Sequence, residues 1–227
     1  MINGINSREM ILEILLEIEE GEHSHVAIRN ALSKYQFLPK QDRAFITRVC
    51  EGTLEYRIQI DYIINSFSKV TVDKMKPAIR EILRSAVYQL KYMDSVPDSA
   101  VCNEAVKLAQ RKGFYNLKPF VNGVLRTIAR EMDQVRFPQK EDDLLKYLSV
   151  KYSMPEVLVT RWLEAYGEET TEKILADFLT EHPLTIRCRT YLNSKEEIIK
   201  SLESQGVHVA PAPYLPYAYS ISEFNHI

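Results

Sequence analysis

Cysteine and histidine are the side chains of this sequence whose chemistry could supply a nucleophile or bind a metal ion. Disulfide frameworks and thiolate zinc sites need cysteines at paired spacings such as Cys-x-x-Cys. Cys50, Cys102 and Cys188 form no such pair, and no cysteine or carboxylate pattern beside His23 and His25 completes a metal site. We therefore expect no metal and no disulfide, and we infer a reducing, cytoplasmic setting.

Basic side chains that could neutralise phosphate groups are concentrated in the middle of the chain. The 227 residues include 29 Lys and Arg against 31 Asp and Glu. The net charge is −3 over residues 1–39, +6 over residues 40–136 and −5 over residues 137–227. Because Lys and Arg supply most of the non-specific affinity for nucleic acids, this asymmetry favours a polyanion-facing surface in the middle region. The same excess is also ordinary for a soluble helical domain.

The elements that must position these side chains are predicted to be helices up to about residue 135. Apolar residues there recur at three- and four-residue spacing, and turn residues separate the runs. Asn6 with Glu9 resembles a capping box, and Pro77 occupies a first-turn position. Gly52 interrupts a long run, which indicates either a close helix approach or a break between two helices. The pattern predicts an all-α domain of six or seven helices.

A short helical segment is predicted to follow this domain. One helix should end near Tyr152, and Ser153 should cap the next helix, with Pro155 in its first turn. Trp162 lies on that helix before Gly167, and we expect it to anchor the segment. A further helix is expected over residues 171–180.

The hydrophobic period changes after Pro183. Apolar and polar residues alternate over residues 184–190, which predicts a strand. Ser194 with Glu197 predicts the start of a helix, and strands are expected near residues 207–209 and 217–221. Two or three strands and one helix bury little surface by themselves. We therefore expect a mixed domain that has been cut short.

Composition also excludes several classes of protein. Hydrophobic residues make up 45% of the chain, enough for a core, so disorder is not its main character. No run of about 18 apolar residues occurs, and the acidic N-terminal stretch has no signal-peptide pattern. We therefore expect neither export nor a membrane partner.

Several short motifs occur in a characteristic order in the helical region and beyond it. In the helical region they are Asp42-Arg-Ala-Phe45, Glu51-Gly-Thr-Leu-Glu-Tyr-Arg57, Pro77 with Arg80, Ile82-Leu-Arg84, Tyr88-Gln-Leu90, Tyr92-Met-Asp94, Asn103-Glu-Ala-Val106 and Phe120-Val-Asn-Gly-Val-Leu-Arg126. The later ones are Arg161-Trp162, Tyr166-Gly167 and Pro183-Leu-Thr-Ile-Arg187. In this order they resemble the NusB-like RNA-binding domain of the Sun (Fmu) family of 16S rRNA cytosine-C5 methyltransferases, followed by that family's linker and next domain.

The resemblance implies a mainly α protein. It implies a NusB-like all-helical bundle over residues 1–138, a helical linker over residues 139–182, and an incomplete α/β, ferredoxin-like segment over residues 183–227. It also implies 16S ribosomal RNA as the partner, no role for DNA, and S-adenosylmethionine as the cofactor of the intact enzyme.

The resemblance also implies where methylation chemistry would lie. The family uses a cysteine that follows proline to attack C6 of cytosine, and a glycine-rich loop to bind S-adenosylmethionine. The three cysteines here follow Val49, Val101 and Arg187, and the seven glycines are scattered. We therefore expect this chain to hold neither catalytic residues nor cofactor, and to be inactive alone.

Eight basic residues near the resembling motifs are the candidate RNA contacts. Arginine offers phosphate a planar fork and can stack on bases. The alternative for each residue is a solvated face or an ion pair with a carboxylate such as Asp61 or Glu81. Asn103 and Asn122 are expected to brace neighbouring helices rather than to read bases. The eight candidates are Arg8, Arg43, Arg57, Arg80, Arg84, Lys112, Lys118 and Arg126.

Two other functions remain open at this point. A NusB-like antitermination factor would bind RNA together with a ribosomal protein. A purely protein-binding helical bundle would not contact RNA. Neither alternative explains the strand-forming segment after Pro183.

Overall fold

The computed structural model of this chain describes residues 6–180 and 182–224. Seven α-helices form the first part, in agreement with the predicted all-α domain. The fold class predicted from the sequence, mainly α with a small α/β segment, is confirmed. The seven helices are α1 (Ser7–Glu19), α2 (Ser24–Lys34), α3 (Lys40–Glu55), α4 (Arg57–Phe67), α5 (Pro77–Tyr92), α6 (Asp98–Arg111) and α7 (Lys118–Glu131).

Helix α5 lies at the centre of this bundle. Every residue from 81 to 89 is buried, and α1, α3, α4, α6 and α7 all pack around the helix. Pro77 occupies the first turn of α5 as predicted, where the missing N–H group costs no hydrogen bond. Because this helix is surrounded on all sides, its polar residues Glu81, Arg84, Ser85 and Gln89 are buried as well.

The starts and ends of the helices largely follow the predicted signals. Asn6 caps α1, since its side-chain oxygen accepts hydrogen bonds from the backbone N–H groups of Arg8 and Glu9 at 2.9 and 3.2 Å. The Glu9 carboxylate pairs with Lys112 at 3.0 Å, so the motif is a single cap rather than the predicted box.

Gly52 lies inside α3, which ends at Glu55, and Tyr56 separates α3 from α4. A Cβ atom at position 52 would overlap the ring of Tyr88. Of the two readings of Gly52, the close helix approach is therefore confirmed. The break between two helices occurs at Tyr56 and not at Gly52.

Two further helices, α8 (Leu144–Lys151) and α9 (Glu156–Phe178), follow the bundle. Helix α9 is kinked at Gly167, whose φ is +73°, a value that favours glycine. Leu148, Val159 and Leu175 form a separate small core, and Trp162 packs against it as expected.

Ser153 does not cap α9 as predicted, which is a correction. Its φ is +52°, and its hydroxyl accepts a hydrogen bond from the backbone N–H of Ile58 at 3.1 Å. Pro155 stands before α9 rather than in its first turn, and its carbonyl accepts from Leu158 and Val159. Ser153 therefore satisfies the first turn of α4, not of α9.

Helices α4 and α8 satisfy each other's ends. Tyr56, the residue before α4, offers no side-chain cap, and the Ser153 hydroxyl supplies one. In return, the Gln59 amide nitrogen donates to the carbonyls of Val150 and Lys151, both at 3.1 Å. Free N–H and C=O groups at helix ends need such partners. The two helices are thus joined by reciprocal caps.

The last part of the chain contains β1 (Leu184–Arg187), α10 (Lys195–Ser204), β2 (Val207–Pro211) and β3 (Ala218–Phe224). The sheet is antiparallel in the order β1-β3-β2. Ser194 and Glu197 form the predicted capping box at α10. Strand β1 is shorter than predicted, because the chain turns after it, with a hydrogen bond from Leu192 N to Arg189 O at 3.2 Å.

The chain divides into two compact units, residues 1–176 and 177–227. The three-part division predicted from the sequence stays a prediction. Among the described residues, no helix combines the length and the apolar character needed to cross a membrane.

Candidate nucleic-acid interface

Three of the eight candidate residues, Arg57, Arg80 and Arg84, line one cavity of about 220 Å³ in the helical bundle. Glu19 and Glu81 line the same cavity. We call this group the arginine cavity. Because arginines and carboxylates share its walls, the partner of each guanidinium decides whether that arginine is available to a phosphate.

The guanidinium of Arg84 donates hydrogen bonds to carboxylates from all three of its nitrogens. Arg84 is 9% exposed, and its Nε and Nη2 donate to the two oxygens of Asp61 at 2.7 and 2.6 Å. Its Nη1 donates to Glu81 at 2.6 Å. Burial raises the pKa of Glu81, and the charge of Arg84 offsets part of that rise. For Arg84 the structure therefore shows the ion-pair alternative, and its guanidinium is not available to RNA in this arrangement.

Arg80 is also engaged inside the bundle, whereas Arg57 is not. Arg80 forms an ion pair with Glu19, and its Nη1 donates to the carbonyls of Val72 and Met75 at 3.2 and 3.4 Å. Arg57 is exposed at the start of α4, with no ion-pair partner in the part of the chain that the structure describes. Arg57 is thus the residue of this cavity that is open to a ligand.

A second group lies where α6 and α7 pack together. Arg126 is exposed, and its Nε donates to the Asn122 side-chain oxygen at 2.9 Å. Its Nη2 lies 3.5 Å from the side-chain oxygen of Asn103. Asn103 on α6 therefore braces the neighbouring helix, as expected, whereas Asn122 braces a residue of its own helix. Because an amide is neutral, this bracing orients the guanidinium without cancelling its charge.

Lys107 and Arg111 extend this surface along α6, and sequence analysis did not select them. They lie outside the resembling motifs, but positions 103, 107 and 111 share one helix face, because residues four apart are neighbours on a helix. That spacing is the signal that could have found them. Lys107 pairs with Glu104 at 2.7 Å, whereas Arg111 is exposed. We call this surface the α6–α7 face: Asn103, Lys107, Arg111, Asn122 and Arg126.

Arg8 lies near this face at the start of α1. Its guanidinium carbon is 5.3 Å from the centre of the Phe45 ring. Burial lowers the pKa of Arg8, while the charge of Glu104 raises it. Its Nε is buried with no hydrogen-bond partner in the described chain. Arg8 is thus partly desolvated beside the face rather than displayed on it.

The remaining three candidates are scattered. Lys112 binds Glu9 and Glu13, both at 3.0 Å. The Nη1 of Arg43 donates to the carbonyl of Leu32 at 3.1 Å, which ties α3 to α2. Lys118 begins α7 and has no ion-pair partner among the residues described.

The two groups of basic residues lie toward opposite ends of α1. Arg8 begins this helix near the α6–α7 face, and Glu19, the partner of Arg80, ends it. At 1.5 Å of rise per residue, the two positions are about 17 Å apart along the helix. The structure therefore does not gather the eight candidates into one patch.

The cysteines are placed as core residues. All three are buried free thiols, and burial raises the pKa of Cys50 and of Cys102. A thiol is nucleophilic only as the thiolate, which burial disfavours. Over the ranges 6–180 and 182–224, no group of three or more His, Cys, Asp or Glu residues is arranged to hold a metal ion.

Family comparisons match both parts of the chain. Residues 5–130 match the NusB family, and residues 154–227 match the ferredoxin-like domain described as Methyltr_RsmF/B-like. The "Probable ribosomal RNA small subunit methyltransferase B" of Bacillus subtilis (strain 168) is 32% identical over 89% of this chain and 44% of its own length. The "Transcription antitermination protein NusB" of Dictyoglomus thermophilum is 33% identical over 57% of this chain and 85% of its own length.

Solved structures share the fold. The crystal structure of PH0851 matches 98% of this chain and 50% of its own, with a TM-score of 0.69 and 23% identity. A chain from the crystal structure of antitermination factors NusB and NusE in complex with dsRNA matches 55% of this chain and 93% of its own, with a TM-score of 0.51 and 21% identity. The present chain spans about half the length of the methyltransferase relative.

Proposed function

The chain belongs to the NusB family over residues 5–130, and from that premise we propose that it is the RNA-binding region of a 16S rRNA (cytosine-C5) methyltransferase. The observation that carries this proposal is the order of the two family matches. A NusB-family bundle is followed by a ferredoxin-like domain of the RsmF/B methyltransferase type in one chain. The relative named "Probable ribosomal RNA small subunit methyltransferase B" matches 89% of the chain.

In this proposal the helical bundle holds ribosomal RNA so that the intact protein can act on one cytosine. The α6–α7 face supplies the phosphate contacts, because Arg126 is exposed and braced by neutral amides. Arg57 and Lys118 are further contacts. Arg80 and Arg84 act on the bundle itself through carboxylates. Methyl transfer from S-adenosylmethionine is assigned to the intact protein and not to any residue of this chain.

RNA binding by the purified chain tests the proposal. The affinity for a labelled 16S rRNA fragment should fall steeply with salt, since each neutralised phosphate contributes a slope of about −0.7 to −0.9 in log K against log salt. Arg126→Ala should weaken binding and make that slope shallower by about 1. Arg161→Ala is the matched control, because Arg161 is also an exposed arginine and lies on α9. An affinity that does not depend on salt would contradict the proposal.

The antitermination reading is the second candidate. It is supported by the 33% identity to the NusB of Dictyoglomus thermophilum, which covers the bundle. In that case the chain would copurify with a ribosomal protein rather than with fragments of 16S rRNA. The two outcomes can be separated in one affinity purification, followed by mass spectrometry of the proteins and sequencing of the RNA.

A further inference from the structure

A cavity of about 250 Å³ lies between the helical bundle, residues 137–139 and α8. We call it the junction cavity. None of the eight candidate residues lines it. Its walls include two lysines, Lys91 and Lys151, and the aromatic ring of Phe137. A cation beside a flat apolar ring is the combination that contacts the phosphate and the base of an unpaired nucleotide.

Lys91 is the cation of this cavity that is able to bind an anion. Its ammonium lies 5.5 Å from the ring centres of both Tyr92 and Phe137. The side chain is half-buried, and its nitrogen has no hydrogen-bond acceptor within residues 6–180 and 182–224. Burial lowers the pKa of Lys91, while the charge of Asp133 raises it. A partly desolvated ammonium without a hydrogen-bond acceptor is stabilised by an incoming anion.

Lys151 contributes less charge, because it is already paired. Its Nζ donates to the Tyr147 hydroxyl at 2.6 Å and to Glu172 at 3.0 Å. Its third hydrogen-bond partner is the Tyr152 hydroxyl, so all three N–H donors of this ammonium are engaged. Lys91 therefore supplies the unbalanced charge of the cavity.

The walls of the cavity are held in place before any ligand arrives. The Gln59 amide is used on both sides, since it donates to the end of α8 and accepts from the Tyr92 hydroxyl. The Phe137 ring stacks with Tyr62 at a centroid distance of 5.7 Å, and the Tyr62 hydroxyl donates to the Arg136 carbonyl at 2.7 Å. A pre-formed site of this kind loses little conformational entropy on binding.

We propose that the junction cavity holds one unpaired nucleotide of the bound RNA, with a phosphate on the Lys91 ammonium and the base beside the Phe137 side chain, whose ring is held by its stack with Tyr62. The inference rests on the proposed function, because it names the part of the RNA that this region recognises. A duplex cannot enter a cavity of about 250 Å³, whereas a single splayed-out base can, with its phosphate at the mouth. The junction cavity therefore selects RNA that contains an unpaired position.

The experiment compares two RNAs that differ only in pairing. One is a 16S rRNA stem with a single bulged nucleotide, and the other is the same stem fully paired. With the full 227-residue chain, Lys91→Ala and Phe137→Leu should each weaken binding of the bulged stem about tenfold, the typical loss for one base–aromatic stack or charged contact. Binding of the paired stem should change by less than about twofold.

Two control variants keep the test specific. Lys146→Ala removes an exposed lysine from α8 outside the cavity, and it should affect both stems equally. Lys91→Arg keeps the positive charge and should retain most of the affinity for the bulged stem. Thermal unfolding followed by circular dichroism verifies that each variant is folded.

Two results would overturn the inference in different ways. If Lys91→Ala weakens both stems to the same extent as Lys146→Ala, the cavity does not hold a nucleotide, although RNA binding itself stands. If the unmodified chain binds neither stem, the proposed function fails together with the inference.

Discussion

The arginine cavity and the α6–α7 face contain the same residue type in opposite situations. Arg84 is buried among Asp61 and Glu81, whereas Arg126 is exposed and held by the amides of Asn122 and Asn103. A carboxylate partner consumes the charge of an arginine, and an amide partner leaves that charge available. The partner of an arginine, rather than its presence in a motif, therefore decides whether its charge is available to a ligand.

The most disruptive change within this comparison is Arg84→Ala. It would leave the buried Glu81 carboxylate without its partner at 2.6 Å, with Arg80 Nε at 4.0 Å as the remaining cation, and breaking a buried pair from one side costs about 3–5 kcal/mol. The free energy of unfolding in urea should fall by that amount. A loss below about 1 kcal/mol would mean that the cavity charges are solvated and that the contrast with Arg126 is not real.

Adding Glu81→Gln to Arg84→Ala should recover about 1–3 kcal/mol, because it removes the buried charge that the first change left unpaired. Lowering the pH should act in the same direction on the single variant. Burial raises the folded-state pKa of Glu81. Its contribution to stability is therefore fully present below the unfolded pKa of about 4.3 and is lost as the pH rises through the folded value. Urea titrations at several pH values, with the double variant as reference, measure this difference.

Glu172→Gln tests whether ion pairs at a partly exposed position contribute as much to the free energy of unfolding as the buried pair of Arg84 does. Glu172 accepts from Lys140, Lys151 and Tyr152, all at 3.0 Å, and the hydrogen bond from Lys140 is the main cause that lowers its pKa to about 2. Since solvent screens this network, we expect a loss of only about 1 kcal/mol. The stability that Glu172 contributes is present above the unfolded pKa and is lost as the pH falls through about 2. Thermal unfolding of the variant at neutral and at acidic pH checks both statements.

The smallest change in stability is expected for Arg126→Ala. An exposed arginine without a carboxylate partner should alter the free energy of unfolding by less than about 0.5 kcal/mol. The same variant should nevertheless weaken RNA binding by about fivefold, whereas Arg57→Ala should have a smaller effect. Fluorescence anisotropy on a 16S rRNA fragment provides the affinities. Equal losses of stability for Arg126→Ala and Arg84→Ala would remove the distinction between the two groups.

Sequence periodicity predicted the helices of the bundle because each has one strongly apolar face. Caps and turns were predicted less evenly. Ser194 with Glu197 completes a box within four residues, and the structure confirms it. Ser153 looked like a cap for the helix beside it, but its hydroxyl binds Ile58, 95 positions away. Local patterns carry no information about such a distant partner.

The candidate site was less predictable than the fold for the same reason. Motif membership selected Arg80 and Arg84, but their carboxylates come from α1, α4 and α5, which are brought together only by packing. The junction cavity was not foreseen, because its lining joins residues from 59 to 151. Arg126 with Asn122 was within reach, since the two lie four residues apart on one helix.

The reciprocal caps between α4 and α8 have a consequence for how the molecule opens. The amide of Ile58 is protected by a hydroxyl from Ser153, and the last carbonyls of α8 are protected by Gln59. Neither helix end can fray without exposing the other, so the helical bundle and the segment after it should unfold in one cooperative step. The Ile58 amide hydrogen should therefore exchange with solvent no faster than global unfolding allows. In the Ser153→Ala variant this amide should be the first to exchange faster than that limit.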